Sequence, residues 1–146
     1  MTDMKLYSRQ VWHNGVLQPA TVIISDGRII AVESFRHPDA RDFGNAVIMP
    51  GVIDAHVHIN EPGRTEWEGF ETATRAAAAG GITSLVDMPL NSSPVTVSVA
   101  TLKEKRNAAA GKLSVNVGCY GGIVPGNADQ ILPMAKAGVL GFKCFL

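Results

Sequence analysis

The sequence has 146 residues, and its 13 Lys and Arg balance 13 Asp and Glu, so the formal net charge is zero. This balance disfavours a nucleic-acid-binding or membrane-surface protein, because both partners attract proteins with a basic excess. Hydrophobic residues form 46% of the chain and charged residues 18%, which provides enough apolar material for a folded core and argues against disorder.

The first part of the chain, up to about residue 48, reads as short strands joined by turns. Asn14-Gly15 and Asp26-Gly27 are typical hairpin turn pairs. Apolar and β-branched residues at 21–24 and 29–32 lie on either side of the second turn. Residues 35–45 are polar and are predicted to form a connection. We therefore predict a small antiparallel sheet over residues 1–48.

From residue 46 onward, apolar strands alternate with helices at a period of about 30 residues, the length of one β-α-β unit. Strands are predicted at 46–57, 82–88, 113–120 and 139–146, and helices at 66–79, 98–110 and from residue 127. Thr65 with Glu68, and Asn127 with Gln130, have the spacing of capping boxes. The nearly continuous apolar strands indicate a parallel sheet covered by helices.

Two α/β architectures fit this pattern: a doubly wound open sheet and a (β/α)8 TIM-type barrel. No Gly-x-Gly-x-x-Gly or Gly-x-x-x-x-Gly-Lys-Ser/Thr loop follows a strand, so the usual signature of a nucleotide-binding sheet is missing. A barrel has eight strands and about 250 residues. On that alternative, residues 49–146 form the first four β/α units of a barrel.

The motif Asp-Ala-His-Val-His at 54–58 ends the first apolar strand. Residues two apart on a strand point to the same side, so His56 and His58 are expected to converge. Two imidazoles aimed at one point suit a divalent metal ion such as zinc. The alternative is a pair of hydrogen-bonded structural histidines. The polar loop at 60–63 favours the metal site, because barrels carry their active sites at this end of the strands.

Lys143 lies in an otherwise apolar strand at 141–146. Burial lowers the pKa of a lysine, because desolvation disfavours the charged form. The neutral amine can add carbon dioxide to form a carbamate, an anionic ligand able to bridge two metal ions. The alternatives are that the charged end reaches solvent or pairs with an acid. In a barrel, Lys143 and the two histidines would face the same mouth.

The stretch Met-Pro-Gly-Val-Ile-Asp-Ala-His-Val-His at 49–58 resembles the opening of the cyclic amidohydrolases, the family of dihydroorotase, dihydropyrimidinase or hydantoinase, and allantoinase. Residues 59–70, Asp-Met-Pro-Leu-Asn-Ser at 87–92 and Gly-Phe-Lys-Cys-Phe-Leu at 141–146 resemble the allantoinase branch in particular. The resemblance extends over essentially the whole chain. It implies that residues 1–48 belong to a small β-sandwich domain built from both chain ends, with the barrel beginning at residue 49.

The resemblance implies a metal-dependent hydrolase that opens allantoin to allantoate in purine breakdown. It implies two divalent metal ions, usually zinc but in relatives also iron, cobalt or manganese. His56 and His58 would bind one metal, and N6-carboxylated Lys143, a catalytic residue, would bridge both. A bridging hydroxide would attack the ring amide carbonyl.

The family's other ligands are two histidines and an aspartate from later strands, for which His13 and His37 cannot substitute, because one lies beside a hairpin turn and the other in a polar connection. We therefore expect the chain to be an N-terminal portion, inactive alone, of a parent that is a homotetramer by family analogy.

Asn60 and Asn91 are the expected substrate-binding residues. Where this chain has Asn60, dihydroorotases usually carry an arginine that grips the substrate carboxylate. Allantoin lacks a carboxylate, so the neutral amide favours allantoin over dihydroorotate. Arg64 would replace that arginine only if its loop folds back. Asn91 follows the second barrel strand, where relatives bind polar substrate groups, and its alternative is an ordinary loop residue.

Two further hypotheses remain open: another cyclic amidohydrolase, or a non-catalytic scaffold of the same fold. The presence of His56, His58 and Lys143 argues against the scaffold, since such relatives typically lose metal ligands.

Four other residues have structural predictions. Asp54 is either a hydrogen-bond partner of an imidazole or a turn former at the strand end, and Asp87 braces the loop after its strand. Cys119 and Cys144 are predicted to pack in strands, and two cysteines are too few for a disulfide scaffold. The cysteine count, with no visible signal peptide or membrane span, predicts a cytoplasmic protein. The resemblance implies that its partner is a small-molecule substrate.

Overall fold

The computed structural model describes residues 4–145, which separate into two compact units at the bond between Pro50 and Gly51. The first unit contains β1 (Met4–His13), β2 (Val16–Ser25), β3 (Arg28–Glu33), β4 (Arg41–Asp42) and β5 (Val47–Ile48). The second contains β6 (Val52–Val57), α1 (Phe70–Ala79), β7 (Ile82–Asp87), α2 (Val99–Ala109), β8 (Asn116–Cys119), β9 (Gly121–Gly122), α3 (Ala128–Lys136) and β10 (Phe142–Lys143). Within the described residues, every helix is too short or too polar to cross a membrane.

The first unit is a single sheet in which β1, β2 and β3 pair in antiparallel fashion. The two predicted hairpin turns are confirmed, because Asn14-Gly15 and Asp26-Gly27 all adopt positive φ angles, the backbone conformation that tight hairpins require. One face of the sheet buries a small apolar core made of Val11, Ala20 and Val22, against which Ile24, Val32 and Ile48 pack.

Residues 35–50 add two short strands that the sequence did not predict as such. β4 lies within the predicted polar connection, and it pairs in parallel with β1 at Leu6 and Tyr7. β5 is the start of the apolar segment predicted as one interrupted strand at 46–57, but it pairs with β1 and belongs to the first unit. Pro50 lacks an N–H donor, and β6 starts only after it.

In the second unit, β6, β7 and β8 form a parallel sheet whose strand order follows the chain order. The predicted α/β alternation is confirmed, with α1 between β6 and β7, and α2 between β7 and β8. β10 pairs in parallel with β9, and the N–H of Leu140 donates to the carbonyl of Cys119 at 2.9 Å. The predicted strand at 139–146 is therefore reduced to two residues, and its last position, Leu146, lies outside the described residues.

The core of the second unit lies between the sheet and its helices. Phe70 is fully buried at the start of α1, and the small side chains of Ala73 and Ala77 follow it on the same face at helical spacing. The buried cluster consists of Ile59, Phe70, Ala73, Ala77, Leu85 and Ala109. This packing attaches α1 to the strands that carry the candidate site.

Helix α1 begins four residues later than predicted, and the Thr65–Glu68 capping box is wrong. The carbonyl of Glu68 instead accepts the N–H of Asn60 at 2.9 Å and closes the preceding loop. The buried carboxylate of Glu61 accepts the N–H of Phe70 at 2.9 Å. A side chain from the loop therefore satisfies the free N–H at the start of the helix, which local sequence spacing could not reveal.

The predicted capping box at the start of α3 is also wrong. The Oδ1 of Asn127 accepts the N–H of Val124 at 3.0 Å, outside the helix. Its amide NH2 donates to the carbonyls of Val97 and Gly122 at 3.0 and 2.9 Å. Asn127 is buried and links its own loop to β9 and to the loop at Val97, so these hydrogen bonds take the place of the local cap.

Candidate active site

The two histidines lie where β6 ends, and they converge as the sequence predicts. The centroids of the His56 and His58 rings are 5.2 Å apart, with an angle of 50° between the ring planes. The Oδ1 of Asp54 accepts the backbone N–H of His56 at 3.1 Å. Asp54 lies inside β6, which continues to Val57, so the predicted turn at the strand end is wrong; its side chain instead holds the backbone where the pairing with β7 is irregular.

Lys143 lies beside the histidine pair, although 87 positions separate it from His56 in sequence. Its Nζ is 3.2 Å from the Nε2 of His56. The lysine is half-buried rather than fully buried, because β10 is a two-residue strand paired with β9 alone among the described residues. No carboxylate within residues 4–145 forms an ion pair with it.

Asn91 contacts the second histidine. Its Oδ1 is 2.7 Å from the Nδ1 of His58, a hydrogen bond in which the imidazole N–H donates. The contact leaves the Nε2 of His58 as the nitrogen with a free lone pair, which is the form needed to bind a metal ion. Substrate binding by Asn91 stays a prediction, and what the structure shows is the hydrogen bond that orients His58.

Asn60 and Arg64 lie in the loop that follows the histidines. Asn60 is buried, and its carbonyl accepts the N–H of Arg64 at 3.1 Å. The loop folds back, because the Nη1 of Arg64 lies 3.4 Å from the carbonyl oxygen of Asn91. The guanidinium also lies over the Trp67 ring, 5.3 Å from its centroid. This folded loop is the condition under which Arg64 would replace the arginine of dihydroorotases, and it places the guanidinium beside Asn91.

Two ion pairs near the site escaped the sequence analysis: the first is fully buried, whereas in the second only the carboxylate is buried. Asp87, at the end of β7, pairs with Lys105 of α2, and Glu61 pairs with Lys112. Desolvation by burial raises the pKa of Asp87, against the opposing influence of the Lys105 ammonium. One signal was available in the sequence, because Lys105 lies at helical spacing from Leu102 and Ala109, on the apolar face of α2.

The two cysteines differ in environment. Cys119 is buried at the end of β8, as predicted, and burial raises the pKa of its thiol. Cys144 is exposed, so the prediction that it packs in a strand is wrong. Regular pairing in β10 ends at Lys143, and Cys144 therefore has no strand to pack into.

The donor atoms gathered at this edge fit a metal ion in chemistry but not in number. Imidazole nitrogen is a preferred ligand of zinc and related ions, and a lysine carbamate would add oxygen donors. Within residues 4–145, no three side chains of His, Cys, Asp or Glu come together as a metal site. His56, His58 and Lys143 therefore form part of a ligand set.

The fold and the site define a parallel α/β protein with basic side chains, including two imidazoles, at the carboxyl ends of its strands. A family profile described as the amidohydrolase family matches residues 47–137, which is more than half of the chain. The chain belongs to the amidohydrolase family.

The relatives it resembles include allantoinases and a hydantoinase. It is 55% identical to a probable allantoinase from Oryza sativa subsp. japonica (95% of this chain, 29% of the relative) and 52% identical to an allantoinase from Streptomyces avermitilis (100% and 34%). The solved L-hydantoinase (dihydropyrimidinase) from Arthrobacter aurescens superimposes with a TM-score of 0.82 at 31% identity (97% and 32%). The chain thus spans about a third of the length of the curated relatives it matches.

Proposed function

We propose that the protein carrying this chain is a metal-dependent cyclic amidohydrolase that opens allantoin to allantoate. The observation that carries the proposal is the meeting of His56, His58 and Lys143 at the carboxyl ends of β6 and β10. Relatives named allantoinases, at 52% and 55% identity, favour allantoin as the substrate. The similarity to a solved L-hydantoinase makes the hydantoin ring, which allantoin contains, the second candidate.

The same proposal includes the architecture of the parent. Residues 49–146 supply the first four β/α units of a (β/α)8 barrel, and residues 1–48 supply part of a β-sandwich. The sequential order β6-β7-β8 supports the barrel, since doubly wound sheets reverse their strand order at a switch point. A homotetramer is proposed for the parent by family analogy, and light scattering of the purified protein tests it.

In the proposed site, His56 and His58 would hold a divalent metal ion, and Lys143, as the carbamate, would supply oxygen donors to the two-metal centre. Zinc is the first choice for imidazole donors. When bound, two such ions supply an activated water nucleophile and polarise a ring carbonyl. The chain's own residues orient these donors: Asp54 fixes the backbone at His56, and Asn91 fixes the ring of His58.

Substrate binding is proposed for Asn60 and Asn91. The Oδ1 of Asn91 faces His58, and its NH2 group makes no hydrogen bond within the described residues, so this group is placed to donate to a substrate carbonyl. A neutral amide suits a substrate without a carboxylate. The exposed Arg64 adds a positive charge beside Asn91. Because such a charge suits the carboxylate of dihydroorotate, that compound is included among the substrates to be compared.

The test is hydrolysis by the protein expressed from its complete coding sequence and loaded with zinc. Allantoin, hydantoin, dihydrouracil and dihydroorotate are compared at equal concentration by kcat/KM. We expect allantoin to be opened fastest, and the His56→Ala/His58→Ala variant to lose this activity. A preference for hydantoin or dihydrouracil would reassign the substrate, and absence of both turnover and bound metal would support a non-catalytic scaffold.

The 146-residue chain by itself is proposed to be inactive, because the resemblance assigns three of the six metal ligands to later strands. The purified chain with added zinc is expected to leave allantoin intact. Turnover above that of the His56→Ala/His58→Ala chain would refute this.

Replacing Asn91 is predicted to weaken metal binding through His58. Asn91→Leu removes the acceptor of the imidazole N–H, and loss of such a partner typically lowers metal affinity about 10- to 100-fold. Asn91→Asp keeps an acceptor at the same position and serves as the matched control. Zinc affinity is measured by competition with a chromophoric chelator, and equal affinities for the two variants would contradict the orienting role.

A further inference from the structure

A fully buried ion pair lies directly behind the histidine segment. The side chains of Asp87 and Lys105 are 0% and 1% exposed. Oδ2 of Asp87 accepts a hydrogen bond from the Lys105 ammonium, which also lies 3.4 Å from the carbonyl oxygen of Met88. The metal-ligand set proposed above makes no use of this pair.

The other carboxylate oxygen of Asp87 reaches the backbone that follows His58. Oδ1 accepts the N–H of Ile59 at 2.7 Å. On the preceding side of His58, the N–H of Met88 donates to the carbonyl of Val57 at 2.8 Å. His58 is therefore held between two hydrogen bonds to consecutive residues at the end of β7. The second bond is backbone to backbone, whereas the first depends on the Asp87 side chain.

Burying the Asp87–Lys105 ion pair costs free energy, so a contribution to folding stability does not explain its presence. Two charges removed from water lose hydration that their attraction only partly restores, and an apolar pair of similar size is often equally stable. What an apolar pair cannot do is accept a hydrogen bond from Ile59. Lys105, for its part, donates to Oδ2 and so holds the Asp87 side chain from the side opposite Ile59.

We propose that Asp87 is a positioning residue for the metal site: its Oδ1 fixes the His58–Ile59 peptide, and Lys105 is the partner that allows its carboxylate to be buried there. The inference rests on the proposed function, because it presumes that His58 binds a metal ion. The position of the peptide fixes the backbone from which the His58 side chain extends, and the hydrogen bond to Asn91 fixes the orientation of the imidazole ring. Both restraints reach the same side chain from different loops.

Two double variants of the protein expressed from its complete coding sequence separate this role from stability. Asp87→Asn/Lys105→Met removes both charges but keeps an oxygen for the Ile59 N–H. Asp87→Leu/Lys105→Met removes the charges and the acceptor at nearly the same volume. We expect the zinc affinity of the first to stay within about threefold of wild type, and that of the second to fall about 10- to 100-fold, the range for partners that orient metal ligands.

Leu102→Ala is the control for plain destabilisation, because Leu102 is buried on the same helix three residues before Lys105. It should lower the melting temperature while leaving zinc affinity unchanged. Equal zinc affinities for the two double variants would overturn the positioning role even when the wild type binds zinc and hydrolyses allantoin. A wild type without zinc affinity would instead reject the proposed function and this inference together.

A second measurement needs no variant. In the metal-free wild-type protein, the amide proton of Ile59 is expected to exchange with solvent slowly, because Asp87 holds it before any metal binds. This measurement decides the question if the Asp87→Leu/Lys105→Met variant fails to fold. Rapid exchange at Ile59, together with slow exchange in the neighbouring buried strand β7, would then overturn the inference.

Discussion

Replacing Lys143 with methionine is expected to abolish allantoin hydrolysis, with kcat/KM falling at least about 10²- to 10³-fold, the loss typical of removing one group that stabilises developing charge. The reason is that Lys143 approaches His56 at 3.2 Å and, as a carbamate, would supply oxygen ligands to the proposed metal centre. The bound zinc per subunit should fall in the same variant. Both quantities are measured on the protein expressed from its complete coding sequence.

Lys143→Arg distinguishes a carbamate from a simple positive charge. Arginine keeps the charge but is always protonated in proteins, so it cannot present a neutral amine to carbon dioxide. We expect it to be as inactive as the methionine variant. Lys136→Met, at an exposed lysine in the last turn of α3, is the matched control and should behave as wild type. Retained activity in Lys143→Arg would exclude the carbamate.

The carbamate can also be observed directly. Incubating the wild-type protein with ¹³C-labelled bicarbonate should produce a carbamate carbon signal in the ¹³C NMR spectrum. The signal should be missing from Lys143→Arg and present in Lys136→Met. A signal that survives in Lys143→Arg belongs to another amine, and the assignment to Lys143 would then be wrong.

Replacing Phe70 with alanine is expected to destabilise the second unit by about 3–5 kcal/mol, the range for truncating a buried phenylalanine. Phe70 is 0% exposed, and it joins α1 to the core behind the histidine strand. The side chain is the largest in that cluster, so its loss leaves a cavity that its mostly small or branched neighbours cannot fill. The measurement is the free energy of unfolding, or the melting temperature where unfolding is irreversible.

The control for this variant lies on the same helix. Glu71 is exposed, and its ion pair with Arg75, at 3.7 Å, lies in solvent. Glu71→Ala should therefore change the free energy of unfolding by less than about 1 kcal/mol. If Phe70→Ala is no more destabilising than Glu71→Ala, the buried cluster does not support α1 as described.

Predictions from the sequence were most accurate for features that depend only on residues adjacent in the chain. The hairpin turns at Asn14-Gly15 and Asp26-Gly27 were predictable because few residue pairs tolerate two consecutive positive φ angles. The convergence of His56 and His58 followed from the two-residue period of a strand. Both helix caps predicted from spacing failed: at α1 the loop residue Glu61 accepts the N–H of Phe70, and at α3 the side chain of Asn127 bonds outside the helix.

By itself, the sequence determined the alternation of strands and helices, the histidine pair and the family resemblance, since each depends on residues close together in the chain. Only the tertiary structure decided that Lys143 meets His56, that Asn91 orients His58, and that Asp87 with Lys105 holds the backbone behind it. These contacts join residues between 18 and 87 positions apart. Parallel strands bring their carboxyl ends to one edge, and that edge assembles the site from segments with no common local pattern.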